Sequence, residues 1–419
     1  RYNTSDPLSV ALVTAPPYDC ITPDERDELY RTHPHNIVRV ILGRDEAADT
    51  DQNNKYTRAA GFLEKWQDGG VLVRDDEPAL YWYQQEFEID GKPYTREGFL
   101  GRIELEPFGE GDIYPHEQTM PGPKADRLRM MHATRANLEP IFGLYPDDDN
   151  TVTELFHEAG LCDPIVQTVD GDGVVHRLFA CTHPGALKKV TEQMAEKPLF
   201  IADGHHRYET ALKHAEELRA QGEKVEGGHP ANSILMMCVS MHHPGLAVLP
   251  THRIVRGLGD MSTDDLQAAT EGDFRWSEYT GAEATSPRMD LHLERTDGHP
   301  IGLWTRDTQS AFVLQLRDES VMEELAPDHS EAWRRLDPAI LWKVLFEKDL
   351  SAADVDVENL ELEFVHRSQQ AFDAVHEEGA DAAFVMLPLP VSSLQEVAGE
   401  GERMPPKSTY FYPKLLSGL

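Results

Sequence analysis

Cysteine is scarce in this sequence, and long apolar runs are missing. The four cysteines of the 419 residues are far apart and show no CxxC spacing: Cys20, Cys162, Cys181 and Cys238. This pattern argues against a disulfide framework and against a cysteine zinc site. No run of about 18 apolar residues is present, and the first ten residues lack the charged and apolar regions of a signal peptide. We therefore expect a cytoplasmic protein without a membrane partner.

Basic residues are few relative to acidic ones. Lys and Arg number 39 against 74 Asp and Glu, which gives a formal net charge of −35 at pH 7. Such an excess is typical of a solvated surface or of a saline habitat. Because a surface of this sign repels the phosphate backbone, the composition argues against non-specific binding of DNA or RNA. The length and the 40% of hydrophobic residues are sufficient for a sizeable globular core.

A first prediction concerns duplex DNA. We expect no salt-sensitive mobility shift when the protein is mixed with it, since few cations are available to release counterions. Gel shifts at low and high salt measure this directly. A clear shift at micromolar protein in low salt would contradict the prediction.

Two familiar motifs are absent. Glu117 follows His116, but no second His completes an HExxH zinc motif, and no GxxxxGK[ST] loop occurs. The sequence therefore gives no reason to expect zinc of the HExxH kind or a Walker A site, and the metal ligands stay unknown.

The most informative segment is residues 198–218, PLFIADGHHRYETALKHAEEL. Residues 199–202 form a short apolar run typical of a strand, and apolar residues then recur at helical spacing at Ala211, Leu212, Ala215 and Leu218. The pattern predicts a strand, a tight turn and a helix that opens at Asp203 or Gly204, with Asp203 able to accept hydrogen bonds from the first helical turn.

The turn also concentrates reactive side chains. Free N–H groups at a helix start favour an anion, and Arg207 offers a fork of donors suited to phosphate. His205 and His206 can donate, accept or transfer protons near neutral pH. An Asp-Gly pair or a single His is more often an ordinary turn or packing residue. Five such residues in one turn favour a phosphate site with a proton-transfer group beside it.

A loop around Glu117 offers a second group. A carboxylate beside His116 can act as general base on a substrate hydroxyl, or can hold Mg²⁺ next to nucleotide phosphates. The alternative is a cluster that only stabilises the loop. Tyr18 and Asp19, after a double proline, are expected either to line the same site or to form a capped turn.

Two further groups carry hydroxyls and cations. Thr251, His252 and Arg253 follow a strand, where ligands often bind in α/β proteins, although an ordinary surface turn explains them as well. Near the C-terminus a cation is followed by hydroxyls, a composition that resembles a phosphate clamp or a tail held down by aromatic residues: Lys407, Ser408 and Thr409.

The remaining pattern predicts a mixed α/β fold. Residues 79–89 and 94–105 form a hairpin around Asp90-Gly91-Lys92, and residues 165–169 and 174–180 form another. Helices are predicted at 23–31, 53–67, 124–137, 184–195, 263–270, 331–346 and 368–378, strands at 8–14, 36–42, 233–240, 246–249, 311–316 and 383–386, and a loop at 108–123. We expect a mixed α/β region at residues 1–185 and a second region at 186–419 that contains the DGHHR turn.

Five segments resemble a known family. The sequence IADGHHRYETA is similar to the signature of the DUF1015 family, and four other segments extend the likeness over nearly the whole chain: APPYDCIT, HEQTMPGPKADRL, LPTHRIV and MPPKSTYFYPKLLSGL. The motif DGHHR itself resembles the phosphate-binding motif of the ParB and sulfiredoxin superfamily, most closely that of SerK-type free serine kinases. The resemblance implies a ParB/sulfiredoxin-like core around the turn, with further α/β elements on either side.

The resemblance also implies phosphotransfer with ATP or ADP and Mg²⁺, on free serine or a related hydroxylated metabolite. Gly204, His205 and Arg207 would cradle phosphate, and Asp203 or His206 would handle a proton or metal. Two alternatives stay open. The same site can hydrolyse a phosphoester such as phosphoserine, because hydrolysis also needs an anion cradle and a base. A sensor that binds a nucleotide or metabolite without turnover would also use the turn.

Overall fold

A computed structural model describes residues 1–4 and 9–419. These residues form two compact units. Unit 1 comprises Arg1–Pro115, Thr119–Ala247 and Pro413–Leu419, and unit 2 comprises His116–Gln118 and Val248–Tyr412. The main division therefore falls after Ala247, not at the predicted border between residues 185 and 186, because the strands on either side of 185 belong to one sheet.

Unit 1 combines helices with a mixed sheet. Its helices are α1 (Val10–Val13), α2 (Pro23–Thr32), α3 (Val38–Ile41), α4 (Lys55–Asp68), α5 (Pro121–Thr134), α6 (Thr151–Glu158), α7 (Pro184–Met194) and α8 (His205–Ala220). Its strands are β1 (Leu80–Ile89), β2 (Lys92–Glu104), β3 (Ile113–Pro115), β4 (Ile141–Tyr145), β5 (Val166–Val169), β6 (Val175–Cys181), β7 (Leu199–Asp203) and β8 (Ser233–Ser240). Within the described residues these eight strands form one sheet in the order β3-β7-β4-β8-β2-β1-β6-β5.

The two predicted hairpins of this sheet are confirmed. Strand β1 pairs antiparallel with β2 from Tyr81 opposite Leu100 to Ile89 opposite Lys92. Asp90 and Gly91 both have positive φ, which a tight two-residue hairpin turn requires. Strands β5 and β6 pair antiparallel in the same way.

Strand β7 and helix α8 anchor the DGHHR turn in the core of unit 1. Strand β7 lies between β3 and β4, and four of its five residues are buried. Helix α8 buries one face, on which Tyr208, Ala211 and Ala215 contact the cluster that contains Ile201. Burial on both sides gives the turn a rigid frame, and the predicted strand, turn and helix are confirmed.

Unit 2 is built around a second sheet. Its strands are β9 (Ala247–Leu249, which begins at the last residue of unit 1), β10 (His252–Arg256), β11 (Phe274–Tyr279), β12 (Pro300–Thr305), β13 (Ala311–Leu316), β14 (Glu361–Val365), β15 (Ala382–Val385) and β16 (Tyr410–Tyr412). Six of them have the order β11-β13-β12-β15-β10-β14, and β9 pairs with β16. The helices are α9 (Thr263–Thr270), α10 (Ser286–Glu294), α11 (Val321–Leu325), α12 (Glu331–Arg334), α13 (Asp337–Ile340), α14 (Ser368–His376) and α15 (Val391–Gly399), and a π-helix spans Leu341–Leu350.

Several predicted elements differ from the structure. The strand predicted at 8–14 is the short helix α1, with Leu8 outside the described residues, and the strand predicted at 36–42 contains helix α3. Both runs are short and apolar, so periodicity alone does not separate strand from helix there. The predicted loop at 108–123 contains β3 and the first residues of α5, and the single helix predicted at 331–346 is divided among α12, α13 and the π-helix.

The mixed α/β fold class is confirmed by both sheets. All four cysteines are free, and Cys181 and Cys238 are buried while Cys20 and Cys162 are exposed. Among the described helices, none combines the length and the apolar character that crossing a bilayer requires.

Candidate functional site

The turn between β7 and α8 depends on a glycine. Gly204 has φ +97°, a conformation that side-chain-bearing residues rarely adopt, and a Cβ there would lie 2.9 Å from Ile141 Cδ1 and 3.0 Å from Arg207 Nη2. Gly204 is the N-cap of α8 and gives the helix no side-chain cap. The sequence suggested Asp203 as a cap for the first turn, but Arg207 and Lys414 donate to its two oxygens. The Asp203 carboxylate contacts two cations instead.

Asp203 lies between two cations. Lys414 Nζ donates to Asp203 Oδ1 at 2.6 Å, and Arg207 Nη2 donates to Oδ2 at 2.7 Å. Burial alone would raise the pKa of this carboxyl, but Lys414 and Arg207 outweigh burial and hold the pKa well below its ordinary value. Asp203 is therefore a fixed carboxylate at neutral pH.

Arg207 is buried with a second carboxyl nearby. Its Nη1 donates to the carbonyl oxygen of Pro140 at 2.5 Å, so both terminal nitrogens have protein acceptors. Burial lowers the pKa of Arg207, but Glu139 and Asp203 overcome this effect and raise it. Burial raises the pKa of Glu139 in spite of the neighbouring Arg207 and Arg127. Arg207, which the sequence predicts to bind phosphate, thus forms an ion pair with Asp203 and interacts electrostatically with Glu139 in this structure.

The N-terminal Tyr18-Asp19 pair belongs to the same group. The Tyr18 N–H donates to Glu139 Oε1 at 2.9 Å, and the Arg127 guanidinium lies 4.0 Å from the centre of the Tyr18 ring. Asp19 and Tyr18 both help to raise the pKa of Arg207. The prediction that this pair lies near the DGHHR turn is consistent with these contacts. Asp19 is exposed, which leaves its carboxylate accessible to solvent.

Lys414 lies in the C-terminal segment of unit 1, residues 413–419, and buried side chains of the sheet hold the backbone of this segment. Gln85 Nε2 donates to the Lys414 carbonyl oxygen at 3.0 Å, and Arg96, which is fully buried, donates to the carbonyl oxygen of Pro413 and to Gln85 Oε1. Burial lowers the pKa of Arg96 to about 10. Ser417 Oγ donates to Glu139 Oε1 at 3.2 Å. Residues 413–419 are therefore part of the site in unit 1.

The two histidines of the motif differ in their surroundings. His205 is buried, and its positive form would favour the ionised Asp203. His206 Nε2 accepts a hydrogen bond from the Met120 N–H at 2.9 Å, so the neutral ring carries its proton on Nδ1. Glu209 holds the same neighbouring segment through Thr119 Oγ1 at 2.7 Å. His206 thus fixes the start of α5, and its role in proton transfer stays a prediction.

Glu117 lies in unit 2 beside the Lys407–Thr409 segment. Its Oε1 accepts weakly from the Lys407 N–H at 3.4 Å, and its carbonyl oxygen accepts from Arg403 at 2.8 Å. His116 Nε2 lies 3.0 Å from Thr409 Oγ1. The structure thus brings together two segments that are about 290 residues apart in sequence.

Thr251, His252 and Arg253 belong to the same unit. They follow β9 as predicted, but His252 and Arg253 begin β10 and are buried, so the surface turn considered from the sequence is wrong. Arg253 Nη2 donates to the Lys407 carbonyl oxygen at 3.2 Å. Burial lowers the pKa of Arg253 to about 10, and burial with the neighbouring Arg253 lowers the pKa of His252 to about 3. Ser408 is buried and donates to the Pro405 carbonyl oxygen at 2.6 Å.

Two buried polar atoms stand out here. Thr251 Oγ1 and His252 Nε2 have no hydrogen-bond partner among the described residues. Buried polar groups are nearly always satisfied, so each of these two atoms is able to accept a further partner. His252 Nδ1 accepts from the Met386 N–H at 3.1 Å, which places the proton of the neutral ring on Nε2.

The predicted site residues therefore fall into two groups. Unit 1 contains Asp203, Gly204, His205, His206 and Arg207, and unit 2 contains Glu117, Thr251, His252, Arg253, Lys407, Ser408 and Thr409. Sequence reasoning missed Lys414, Glu139 and Arg96. Lys414 lies in the family-like segment MPPKSTYFYPKLLSGL, but in that segment the pattern of a cation followed by hydroxyls points to Lys407. Glu139 and Arg96 had none, since an isolated charge in an apolar stretch does not reveal its partners.

Solved structures that resemble the chain include the following three. A conserved hypothetical protein from Pyrococcus furiosus is 14% identical, covers 74% of this chain and 90% of its own, and gives a TM-score of 0.35. Free serine kinase in complex with AMP is 14% identical, with 74% and 86% covered and a TM-score of 0.36. SbnI with a C-terminal truncation from Staphylococcus aureus is 13% identical, with 76% and 85% covered and a TM-score of 0.36. These TM-scores are too low to support an inference about this chain.

No curated protein matches the chain. One family model does, the protein of unknown function DUF1015, and it matches residues 1–339. This range includes the DGHHR turn, the Tyr18-Asp19 pair, Glu139 and the segment around Glu117. The chain belongs to the DUF1015 family.

Proposed function

We propose that this protein is a small-molecule phosphotransferase that uses ATP or ADP to phosphorylate free serine or a related hydroxylated metabolite. One observation carries the proposal. At the start of α8, a fixed carboxylate lies between two cations, Lys414 and Arg207, within a motif that resembles the phosphate-binding motif of SerK-type kinases. Phosphoryl transfer depends on positioning and on charge neutralisation, and this turn offers both.

The phosphate contacts come from the backbone in this proposal. The first-turn N–H groups of α8 and the positive end of its dipole attract an anion, and Gly204 lets the anion approach closely. Both terminal nitrogens of Arg207 already have protein acceptors. In this proposal Arg207 therefore orients Asp203 and contributes positive charge near the phosphate, without a direct hydrogen bond to it. Lys414, on a flexible stem, is the cation that can turn from Asp203 toward a phosphate oxygen.

Asp203 serves as an acceptor rather than a general base. A base is most effective when its pKa lies near the working pH, and the pKa of Asp203 is held far below that. Its ionised oxygens suit a hydrogen bond from the substrate hydroxyl. His205, buried close to Asp203, and His206 stay the proposed proton-transfer groups of the turn.

Of the carboxylates around the turn, Asp19 is the one proposed to bind Mg²⁺. Both oxygens of Asp203 accept from cations, whereas the exposed Asp19 carboxylate lies near Arg207 and is accessible. Asp19 and the nucleotide phosphates would hold the ion, since Mg²⁺ is usually bound by one or two carboxylates and by phosphate oxygens. The ion would neutralise charge on the transferred phosphoryl group.

The residues of unit 2 form a second proposed binding group. Thr251 Oγ1 and His252 Nε2 suit the polar edge of a nucleotide or a hydroxylated substrate, because each needs a partner. Lys407 is exposed, and Arg253 is fixed to its carbonyl oxygen, so the pair adds positive charge beside Ser408 and Thr409. Within this group, Glu117 stays the proposed general base.

The proposal is tested by following phosphoserine formation from serine with ATP and with ADP, each with Mg²⁺. Asp203→Asn and Lys414→Met are expected to lower kcat/KM by about 100-fold, the size of effect seen when one group that neutralises developing charge is lost. The matched control is Lys213→Met on α8, where the lysine side chain is 56% exposed and contacts Glu216 at 3.5 Å. It is expected to leave the rate unchanged.

Other results would replace the proposal. Unchanged rates in both site variants, with folding retained, would remove the turn from the mechanism. Release of inorganic phosphate from phosphoserine without nucleotide would favour a phosphatase. Tight nucleotide binding without turnover on any hydroxylated metabolite would favour a sensor.

A further inference from the structure

A separate cluster of metal-ligating side chains lies along α8. His214 and Glu217 are three residues apart and so share one face of the helix, and His132 in the last turn of α5 packs against them. One nitrogen of each imidazole and one oxygen of Glu217 lie within 4.8 Å of one another. Within residues 1–4 and 9–419, no other group of three His, Cys, Asp or Glu side chains meets this criterion. His214 is ten residues beyond Gly204, about 15 Å along the helix.

The ligand types indicate the class of ion. Two imidazoles and one carboxylate suit borderline transition cations such as Zn²⁺ or Co²⁺, whereas Ca²⁺ and Mg²⁺ prefer sites made of oxygen alone. In a tetrahedral site with bonds of about 2.0–2.1 Å, neighbouring ligand atoms are roughly 3.3 Å apart. The three ligand atoms already lie within 4.8 Å of one another, so side-chain movements of less than about 2 Å would give this spacing.

The two imidazoles are suited to bind a cation. A neutral imidazole has one nitrogen with a lone pair that can bind a metal, and the His132 and His214 rings are neighbours with centroids 5.4 Å apart. His214 Nδ1 is buried and has no hydrogen-bond partner among the described residues. His132 Nε2 lies 2.6 Å from Glu217 Oε2, a hydrogen bond that orients both side chains. One member of the cluster is thus unsatisfied, and the other two are already aligned.

The cluster also has an open side. His214 lines a pocket of about 290 Å³, which Asn137 and Glu223 line as well. Three protein ligands with room for solvent at a fourth position are the arrangement of an accessible zinc site, while closed structural sites use four.

We propose that His132, His214 and Glu217 bind one divalent transition cation, with Zn²⁺ as the reference ion, and that this cation joins α5 to α8. On binding, the hydrogen bond between His132 and Glu217 is broken, the ring proton of the neutral His132 transfers through solvent from Nε2 to Nδ1, and His132 Nε2 and Glu217 Oε2 bond to the metal instead. A solvent molecule from the pocket completes the coordination. Because α8 begins at the DGHHR turn, the metal would fix the helix pair that carries this turn, without taking part in its chemistry.

The test uses the full chain without a histidine tag, stripped of metal with a chelator that is then removed. Titration with Co²⁺ is expected to give the visible absorption bands of a tetrahedral site, saturating at one ion per chain. Zn²⁺ should abolish these bands by displacement and raise the temperature of unfolding. His132→Ala, His214→Ala and Glu217→Gln should each weaken Co²⁺ binding by at least about ten-fold.

The matched control is His242→Ala. His242 is as exposed as His132, at 46%, and also lies beside one carboxylate, Asp148, at 3.3 Å. It should bind Co²⁺ like the parent protein. The proposal is overturned if the parent protein gives no tetrahedral Co²⁺ bands, or if the three cluster variants bind Co²⁺ as tightly as the control. Retained circular dichroism in Glu217→Gln, which keeps the shape of the side chain, separates lost binding from lost folding.

Discussion

Replacing Arg207 with methionine is expected to lower the free energy of unfolding by about 3–5 kcal/mol at pH 7. Arg207 is 8% exposed and Glu139 is 4% exposed, and Arg207 also donates to Asp203. Removing one partner of a buried ionic group leaves the other without compensation, which costs more than the pair contributes. Urea unfolding of the two proteins measures the difference.

Two further variants control this prediction. Arg219→Met on the same helix removes an arginine that lies on the exposed side and donates to neutral acceptors, Asn232 Oδ1 and the Val225 carbonyl oxygen. It is expected to cost about 1 kcal/mol. The double variant Arg207→Met with Asp203→Asn should recover part of the loss, because the half-buried Asp203 carboxylate is removed together with its cation. A loss of less than about 1 kcal/mol in Arg207→Met itself would contradict the ion network.

The pH dependence of stability follows from the same network. The folded-state pKa of Asp203 lies below the unfolded value of 3.8, so its contribution to stability is complete above that value and is lost as the pH falls toward the folded pKa. Glu139 acts in the opposite direction, because its raised pKa stabilises the folded state below about pH 4.5 and this contribution is lost as the pH rises. Asp203→Asn should therefore flatten the acid side of the stability curve.

Raising the salt concentration is expected to stabilise the protein strongly. With a net charge of −35, the folded chain brings like charges close together, and this repulsion opposes compaction. Between 0.1 M and 1 M NaCl the screening length falls from about 10 Å to about 3 Å, which weakens the repulsion. Salt also weakens exposed ion pairs, but each contributes only about 0.2–1 kcal/mol. The midpoint of thermal unfolding should therefore rise by several degrees.

The same experiment at lower pH is the control. As the pH approaches about 4, carboxylates take up protons and the net negative charge falls, so the effect of salt should shrink. A midpoint that is independent of NaCl at pH 7, or that falls with it, would contradict the account of the surface.

The site could be predicted from the sequence where its residues are neighbours. The DGHHR turn was recognisable because an apolar strand, a glycine and helical spacing occur within about twenty residues, and the structure has that strand and helix. The contacts of the side chains inside the turn could not be predicted from the sequence. A sequence suggests that Asp203 caps the helix, whereas the fold offers it a cation from position 414, a contact 211 residues away.

The same limit applies to the fold. Hairpins with tight turns were found because their register is local, as at Asp90 and Gly91. Strand β4 was missed, although all five of its residues are buried, because a short apolar run is equally compatible with a helix. Helix α3 was predicted as a strand for the same reason. Tertiary burial decides such segments, and their periodicity does not reveal it.

The most direct test of the central claim, that this protein binds a nucleotide at the DGHHR turn, is a thermal-shift measurement. ATP, ADP, CTP, serine and phosphoserine are each added with and without Mg²⁺, because a ligand that binds only the folded state raises the unfolding temperature. The account predicts stabilisation by ATP or ADP that is lost in Lys414→Met and retained in Lys213→Met. No shift with any nucleotide, or an equal shift in both variants, would contradict it.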